Sequence, residues 1–461
     1  MTGAARKPWW LEHKGKLLLV GGIAVLPPAA HACLQRVTHF DPPSVELPAP
    51  TQTHAWTRVR AGLREVYLQG SPEAIGAAHV RLLREHMVSD EAELSSDYRR
   101  FVPWWIARVV IEDFSRVRYR HITRGIPETR RRELAAEALA FQPDPFAWHM
   151  ETYERMVFLH ALYDIALPLE HSPLIGCTSF ALAPNATADG HVLVARAFDF
   201  EAGEVFDRDK AVFLVRQDGT IPFASVAWPG FVGVVTGMNA EGVVAVVHGA
   251  RALEPAAEGI PVAFSLREVL EHAHNADEAV DILRAQSVMV SHIVFVADGD
   301  GRFAVVERAP GVPASSRETR ETTAVTNHFE EALARDPRNL RVRANSTTLP
   351  RRARVDELLS RVVPHSATVG TALGILRDHG CAGGRACDLG DRRAIDALIA
   401  THGIVADPTD RVLWVSAGPK LSGRFVRLDL RELLAADHDP SSDREPETMP
   451  EDPGLRTERA P

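Results

Sequence analysis

The sequence predicts an α+β protein: an αββα four-layer sandwich, two antiparallel sheets between helical layers, preceded by a helical segment. Three observations predict it. Residues 53–170 carry apolar residues at three- and four-residue steps with few β-branched runs, the helical pattern. From Gly176 to about Glu307, short β-rich runs dominate, divided by turns such as Gln217-Asp218-Gly219 and Asp298-Gly299-Asp300-Gly301. From Cys177 on, the order is strands, helix, strands, helices, strands, which two packed sheets with helices on their outer faces satisfy.

The N-terminus has a different character. Arg6, Lys7, Lys14 and Lys16 precede the apolar run Leu17 to Ala30, which ends at Ala30-His31-Ala32. A basic region, a short apolar region and small residues form the pattern of a secretory signal over residues 1–32. The run is shorter than the roughly 20 apolar residues that span a bilayer, and Pro27-Pro28 would break a spanning helix. Cleavage after Ala32 would leave Cys33 first, as in a lipoprotein. An uncleaved membrane anchor and a cytoplasmic apolar N-terminus are the other readings. Export, or a membrane tether at this segment, is the expected location.

Residues 33–52 are rich in Pro and Thr and read as a linker. The segment 53–176 reads as a helical pro-segment, with helices at Glu73 to His86, Thr129 to Phe141 and His149 to Leu167. Strands are expected at Thr178 to Ala183, Val192 to Phe198, Ala211 to Val215, Phe223 to Trp228, Phe231 to Thr236, Val243 to Val247, His292 to Val296 and Phe303 to Val306. One long amphipathic helix, Ser265 to Gln286, interrupts them. Helices at Pro350 to Val362 and Thr368 to His379 follow, then strands at Gly403 to Ala406, Val412 to Ser416 and Phe425 to Leu428. The body ends near 434, and the Pro- and acid-rich tail 435–461 reads as disordered.

Composition narrows the function. The 461 residues are 45% hydrophobic and 25% charged, ordinary for a globular protein. A net charge of -9 argues against a nucleic-acid binder, which carries a basic surplus. Four cysteines (Cys33, Cys177, Cys381, Cys387) are too few for a disulfide scaffold. No CxxC, HExxH, phosphate-loop, GxSxG or dinucleotide motif is present, so neither a metal nor a cofactor is expected.

The residues that carry chemistry are few. In Gly176-Cys177-Thr178-Ser179-Phe180 a cysteine stands where helical sequence gives way to the first strand of a β-rich core. Taken alone, a buried core cysteine explains it better. Arg196 and Asp199 sit three apart at the end of the next strand, and Asn327 lies in Thr326-Asn327-His328-Phe329. An Asn at a strand end can donate to a developing oxyanion, and is also a common turn former.

In order, the chain reads GCTSF, ARAFDF, GFVGVVTGMNAEGVV (230–244), SHIVFVADGDGRFAVVE, VTNHF, ILRDHG (375–380) and HGIVADPTDRVLWVSAGP. This order resembles the autoproteolytic acyltransferases and hydrolases of peptidase family C45, typified by penicillin acyl-coenzyme A acyltransferase. They are relatives of choloylglycine hydrolase and acid ceramidase in the N-terminal-nucleophile (Ntn) hydrolase superfamily. The resemblance spans about Tyr153 to Leu430. It implies a precursor in which the Cys177 thiol attacks the Gly176 carbonyl, an N-to-S shift gives an ester, and water releases two chains that stay together. The freed α-amine, with a pKa of about 7.7–8.0, then serves as the general base. By the same resemblance Asp199 holds that amine, Arg196 positions the thiolate and substrate, and Asn327 helps form the oxyanion hole. The relatives' other oxyanion Asn is replaced here by His248-Gly249, so a backbone N–H or His248 would serve. Arg351, Arg352 and Arg354 compete for a late site arginine, with Arg351 favoured.

The function this implies is hydrolysis or acyl transfer at the amide, or thioester, of a small-molecule N-acyl substrate. A phospholipase B-like lipid hydrolase on the same fold and a non-catalytic membrane-tethered binding protein are the alternatives. Trp104, Trp105 and the Tyr and Phe residues of 146–163 read as core. Cys381 and Cys387 read as either a small disulfide or two free thiols. His328 reads as structural.

Overall fold

The computed structural model describes residues 30–49, 54–148, 150–166, 175–201 and 203–456. Most of the apolar N-terminal run lies outside them. Among the described residues no helix is long and apolar enough to cross a membrane.

Helix α1 covers 30–38. Strands β1 (Ala55–Arg60) and β2 (Leu63–Gly70) precede α2 (Pro72–Phe101), α3 (Trp105–Arg118), α4 (Glu128–Ala140), α5 (Thr152–His160) and α6 (Leu162–Ala166). Then come β3 (Ile175–Leu182), β4 (Leu193–Phe200), β5 (Ala211–Gln217), β6 (Phe223–Ala227), β7 (Thr236–Asn239) and β8 (Val244–Gly249). Helices α7 (Val262–His272) and α8 (Ala276–Ala285) lead to β9 (His292–Ala297), β10 (Phe303–Arg308), β11 (Ser315–Thr319) and β12 (Thr323–Val325). Helices α9 (Thr348–Leu359) and α10 (Val369–Leu376) precede β13 (Ala400–Asp407), β14 (Val412–Ser416), β15 (Phe425–Asp429) and β16 (Thr448–Met449).

The strands form two sheets. One has nine strands in the order β1-β2-β5-β6-β7-β8-β9-β10-β11; the other has seven, β12-β3-β4-β13-β14-β15-β16. Alternation along the strands builds three apolar layers, because successive side chains leave opposite faces. Ala181, Val194, Val212, Val246, Phe295, Ile404 and Leu413 fill the space between the sheets. Phe180, Leu182, Ala195 and Trp414 face Val355 of α9 and Leu373 and Leu376 of α10. Val66, Phe213 and Val247 pack under Ile75 and Leu83 of α2, Leu134 of α4 and Leu266 of α7. The outcome is the αββα arrangement.

The structure corrects several expectations. The pro-segment is not purely helical: β1 and β2 extend the larger sheet, and β2 pairs with β5 in parallel, the exception to antiparallel order. Alternation was hidden there by the polar residues Arg58, Arg60, Arg64 and Glu65; Arg58 and Arg60 pair with Glu65 across the hairpin. The expected helix Ser265 to Gln286 is two, because the Asn275 side chain caps α8 by accepting from Glu278 N. Phe231 to Val235 is a loop, not a strand; part of it is held by side chains, as described below. The tail does not stay apart from the body. It adds β16 to β15, and Arg377 Nη1 donates to Pro450 O at 3.0 Å. Of the two readings left open for Cys381 and Cys387, the structure has the disulfide. Trp104 and Trp105 are exposed rather than core.

Candidate active site

Cys177 and Ser179 project from β3 on the side that further along carries Ala181 and Ala183 into the layer between the sheets. β4 runs antiparallel beside it, with Cys177 opposite Phe198, Ser179 opposite Arg196 and Gly176 opposite Asp199. Arg-x-x-Asp spacing on a strand sends the two side chains to opposite faces. Arg196 therefore lies on the Cys177 side, and Asp199 beside Gly176.

Arg196 is fully buried. Its Nη2 lies 3.7 Å from Cys177 Sγ and donates to Val247 O at 2.6 Å. Its Nη1 donates to Val235 O and Thr236 Oγ1. The loop that presents Val235 is held by two histidines. His79 Nε2 accepts from Gly230 N at 2.8 Å, and His160 Nε2 accepts from Val232 N at 2.8 Å. Burial lowers the pKa of His79 to about 3 and of His160 to about 4. Both rings are thus neutral near pH 7, which leaves an unprotonated nitrogen to accept.

Asn327 follows β12, the neighbour of β3. Its Oδ1 accepts from Cys177 N at 2.8 Å and from Arg351 Nη2 at 2.8 Å, while its Nδ2 donates to Gly249 O at 2.9 Å. The partners fix which amide atom is which. Arg351, on α9, also donates to Cys177 O and to Thr178 Oγ1. The backbone on both sides of the Cys177 Cα is therefore held by side chains. One N–H of Asn327 goes to Gly249 O, and its oxygen faces the Cys177 nitrogen.

Asp199 is buried, and burial pushes its carboxyl up to about 7. A methyl group on residue 176 would sit 2.9 Å from Asp199 Oδ2, so glycine lets the carboxyl reach the 176–177 peptide. Burial also raises the Cys177 thiol above its ordinary value, opposed by Arg196. His248 Nε2 pairs with Ser179 Oγ at 2.9 Å, and burial keeps its ring neutral. His328 bonds Thr326 and Thr348 hydroxyls beside Asn327.

Arg352 and Arg354 leave the site: Arg352 bonds Glu330 and Asp356, and Arg354 bonds Asp378. Sequence reasoning missed Thr178, Thr348 and Tyr163. The Tyr163 hydroxyl is buried without a hydrogen-bond partner, and both Cys177 and Arg196 act on it electrostatically. Nothing in its helical context separates it from a core tyrosine. A cleft of about 540 Å³ opens at the end of β4, lined by Phe200, Glu201, Glu204, Asp207, Ala400 and Lys420. Phe200 pairs with Ile175, next to the 176–177 junction.

Two sheets between helical layers, with a Gly-Cys step opening an inner strand, define an Ntn-hydrolase-like protein. Residues 186–379 match the family described as acyl-coenzyme A:6-aminopenicillanic acid acyl-transferase. Over that segment the chain is similar to this family. The segment includes Arg196, Asp199, His248, Asn327 and Arg351 and begins after Cys177. An uncharacterized protein of Archaeoglobus fulgidus is 30% identical over 151 residues, 32% of this chain and 25% of that protein. The chain thus spans about a quarter of the length of this curated relative. Among solved structures, the Caenorhabditis elegans ortholog of N-acylethanolamine-hydrolyzing acid amidase matches at 14% identity and TM-score 0.38, over 50% of this chain and 93% of that one. Penicillin V acylase from Agrobacterium tumefaciens matches at 17% and 0.35, over 55% and 92%. A mutant of conjugated bile acid hydrolase from Clostridium perfringens matches at 13% and 0.38, over 60% and 97%.

Proposed function

We propose that this chain is a self-cleaving cysteine Ntn hydrolase or acyltransferase acting on the amide, or thioester, bond of small-molecule N-acyl substrates. The observation that carries this reading is the cradle around Cys177: Asn327 on its nitrogen, Arg351 on its carbonyl and Arg196 at its sulfur. A structural cysteine does not require side chains to grip its own peptide on both sides.

In the precursor, Asp199 takes the thiol proton and the sulfur attacks the Gly176 carbonyl carbon. The C–N bond breaks as the Cys177 nitrogen takes that proton back from Asp199 and leaves as an amine, giving a thioester. Water then cleaves the thioester, leaving the Gly176 carboxylate and the free Cys177 thiol. The new α-amine, held by Asn327 Oδ1, next removes the thiol proton for attack on a substrate acyl carbonyl. Arg196 supplies positive charge at the sulfur through the step in which the thiolate forms.

No cofactor or metal enters this scheme, and the partners are a small acyl substrate and the two chains of one precursor. The test is incubation of the cut protein with N-acyl amides of different chain length. Release of free amine with matching fatty acid, absent in Cys177→Ala, supports the reading. Fatty acid released from phospholipid without amine release from any amide would overturn it in favour of a lipid esterase.

A further inference from the structure

Helix α3 is inside out. In an ordinary surface helix the apolar stripe faces the body and the charged residues face water. Here Trp105, Ile106, Val110 and Phe114 are each 58–66% exposed, and Ile111 and Val117 add to the same surface. Phe101 and Trp104, just before the helix, are exposed as well. The α3 side chain that is buried is a charged one, Arg116. Its Nη1 donates to Glu154 of α5 at 2.8 Å. Asp113 bonds His31 Nδ1 at 2.7 Å, and Arg118 Nη2 donates to Pro255 O at 2.6 Å. The polar face holds the helix to the body, and the apolar face is presented outward. A contiguous apolar patch of this kind marks an interaction surface.

Two further observations choose its partner. The His31–Asp113 bond fixes α1 against α3, so the chain enters the described region beside this patch. The residues before α1 contain the apolar run from Leu17 and the cations Arg6, Lys7, Lys14 and Lys16. Exposed Arg99 and Arg100 precede α3, and exposed Arg120 follows it. Two adjacent tryptophans, branched aliphatics and flanking cations are the composition of a helix that lies in a lipid headgroup boundary.

We propose that the α3 face docks on an anionic lipid bilayer surface, lying in the interface without crossing it. The Arg116–Glu154 pair ties the opposite, buried face of α3 to α5.

The test uses the full chain with vesicles of equal parts phosphatidylcholine and phosphatidylglycerol, read by sedimentation. The V110D/F114D variant changes only exposed positions, and circular dichroism checks that it stays folded. It is expected to partition about tenfold more weakly than the parent. Tryptophan emission of the parent should be quenched by brominated acyl chains, and W104F/W105F should lose most of that quenching. Equal partitioning of parent and V110D/F114D would overturn the proposal, as would quenching that survives W104F/W105F. A parent that ignores vesicles but forms a dimer that V110D/F114D splits would assign the face to a second copy instead. Binding is read without turnover, so these outcomes do not depend on the chemistry proposed for Cys177.

Discussion

Two of the regions of this molecule that bury arginines treat them differently. Between α2, α4 and α7, Arg130 and Arg267 are matched by Glu133 and Glu271. Arg267 reaches Glu133 at 2.9 Å and Glu271 at 2.8 Å, and Arg130 reaches Glu271 at 3.3 Å. Around Cys177, Arg196 and Arg351 are also buried, yet their hydrogen bonds go to carbonyls, hydroxyls, an amide oxygen and the sulfur. Neutral acceptors satisfy the N–H groups without cancelling the charge. The first set is spent on itself. The second leaves positive charge facing a thiol whose anion must form. Burial of charge therefore does not by itself mark a site, and neither do neutral partners alone, since Arg308 is buried against Ser265, His292 and Gln286; at Cys177 the two come together beside a thiol.

This contrast can be broken at several points. The largest effect is expected in the paired set. Glu133→Ala leaves two buried guanidinium groups to share the single carboxylate of Glu271 and should cost about 3–5 kcal/mol of stability, read by denaturant melts in a Cys177→Ala background. The folded fraction of Glu133→Ala with Cys177 intact should cut itself at the parental rate. A loss below about 1 kcal/mol would mean the pairs are not mutually dependent. Arg196→Met comes next. It should slow self-cleavage about 10²–10³-fold, the size of losing one electrostatic donor to a developing charge, read as the fraction cut with time. A rate within about threefold of the parent would mean that the guanidinium only fills space.

The strands of the sandwich were legible because alternation reports a half-buried surface directly. β3 to β6, β8 to β10 and β13 to β15 all fall where the β-rich runs lie. β1 and β2 were not, since their polar positions carry ion pairs and their partner β5 is more than 140 residues away in sequence. The inside-out α3 reads as core by the same logic, because period alone does not say which face meets the body. At the site, motif order pointed to Cys177, Arg196, Asp199 and Asn327, and the structure brings all four to one place, with Arg351. The orientation of Asn327 was not legible: whether an amide turns its oxygen or its nitrogen toward a neighbour depends on Arg351 and Gly249, which come from other elements. The grip of Thr348 on Asn327 N at 2.8 Å was likewise invisible.

A smaller effect sharpens the pH behaviour. Asp199 binds its proton more tightly in the folded chain, at about 7 against an ordinary 3.8. The sign follows: its contribution to folding is favourable at low pH and is lost as pH rises through about 7. Asp199→Asn should therefore raise the Tm of uncut protein above pH 7 and change it little below pH 4. As the base for the first cleavage, Asp199 must be ionised, so the parental cleavage rate should rise through about pH 7 and level off above it. A rate flat from pH 5 to 8 would remove Asp199 from that role.

The most direct test of the central claim is the intact mass of purified parent beside Cys177→Ala. The account predicts two chains from the parent, the larger being residues 177–461 with Cys177 at its N-terminus, and a single uncut chain from the variant. A single chain in both, or the same cut in both, would contradict it.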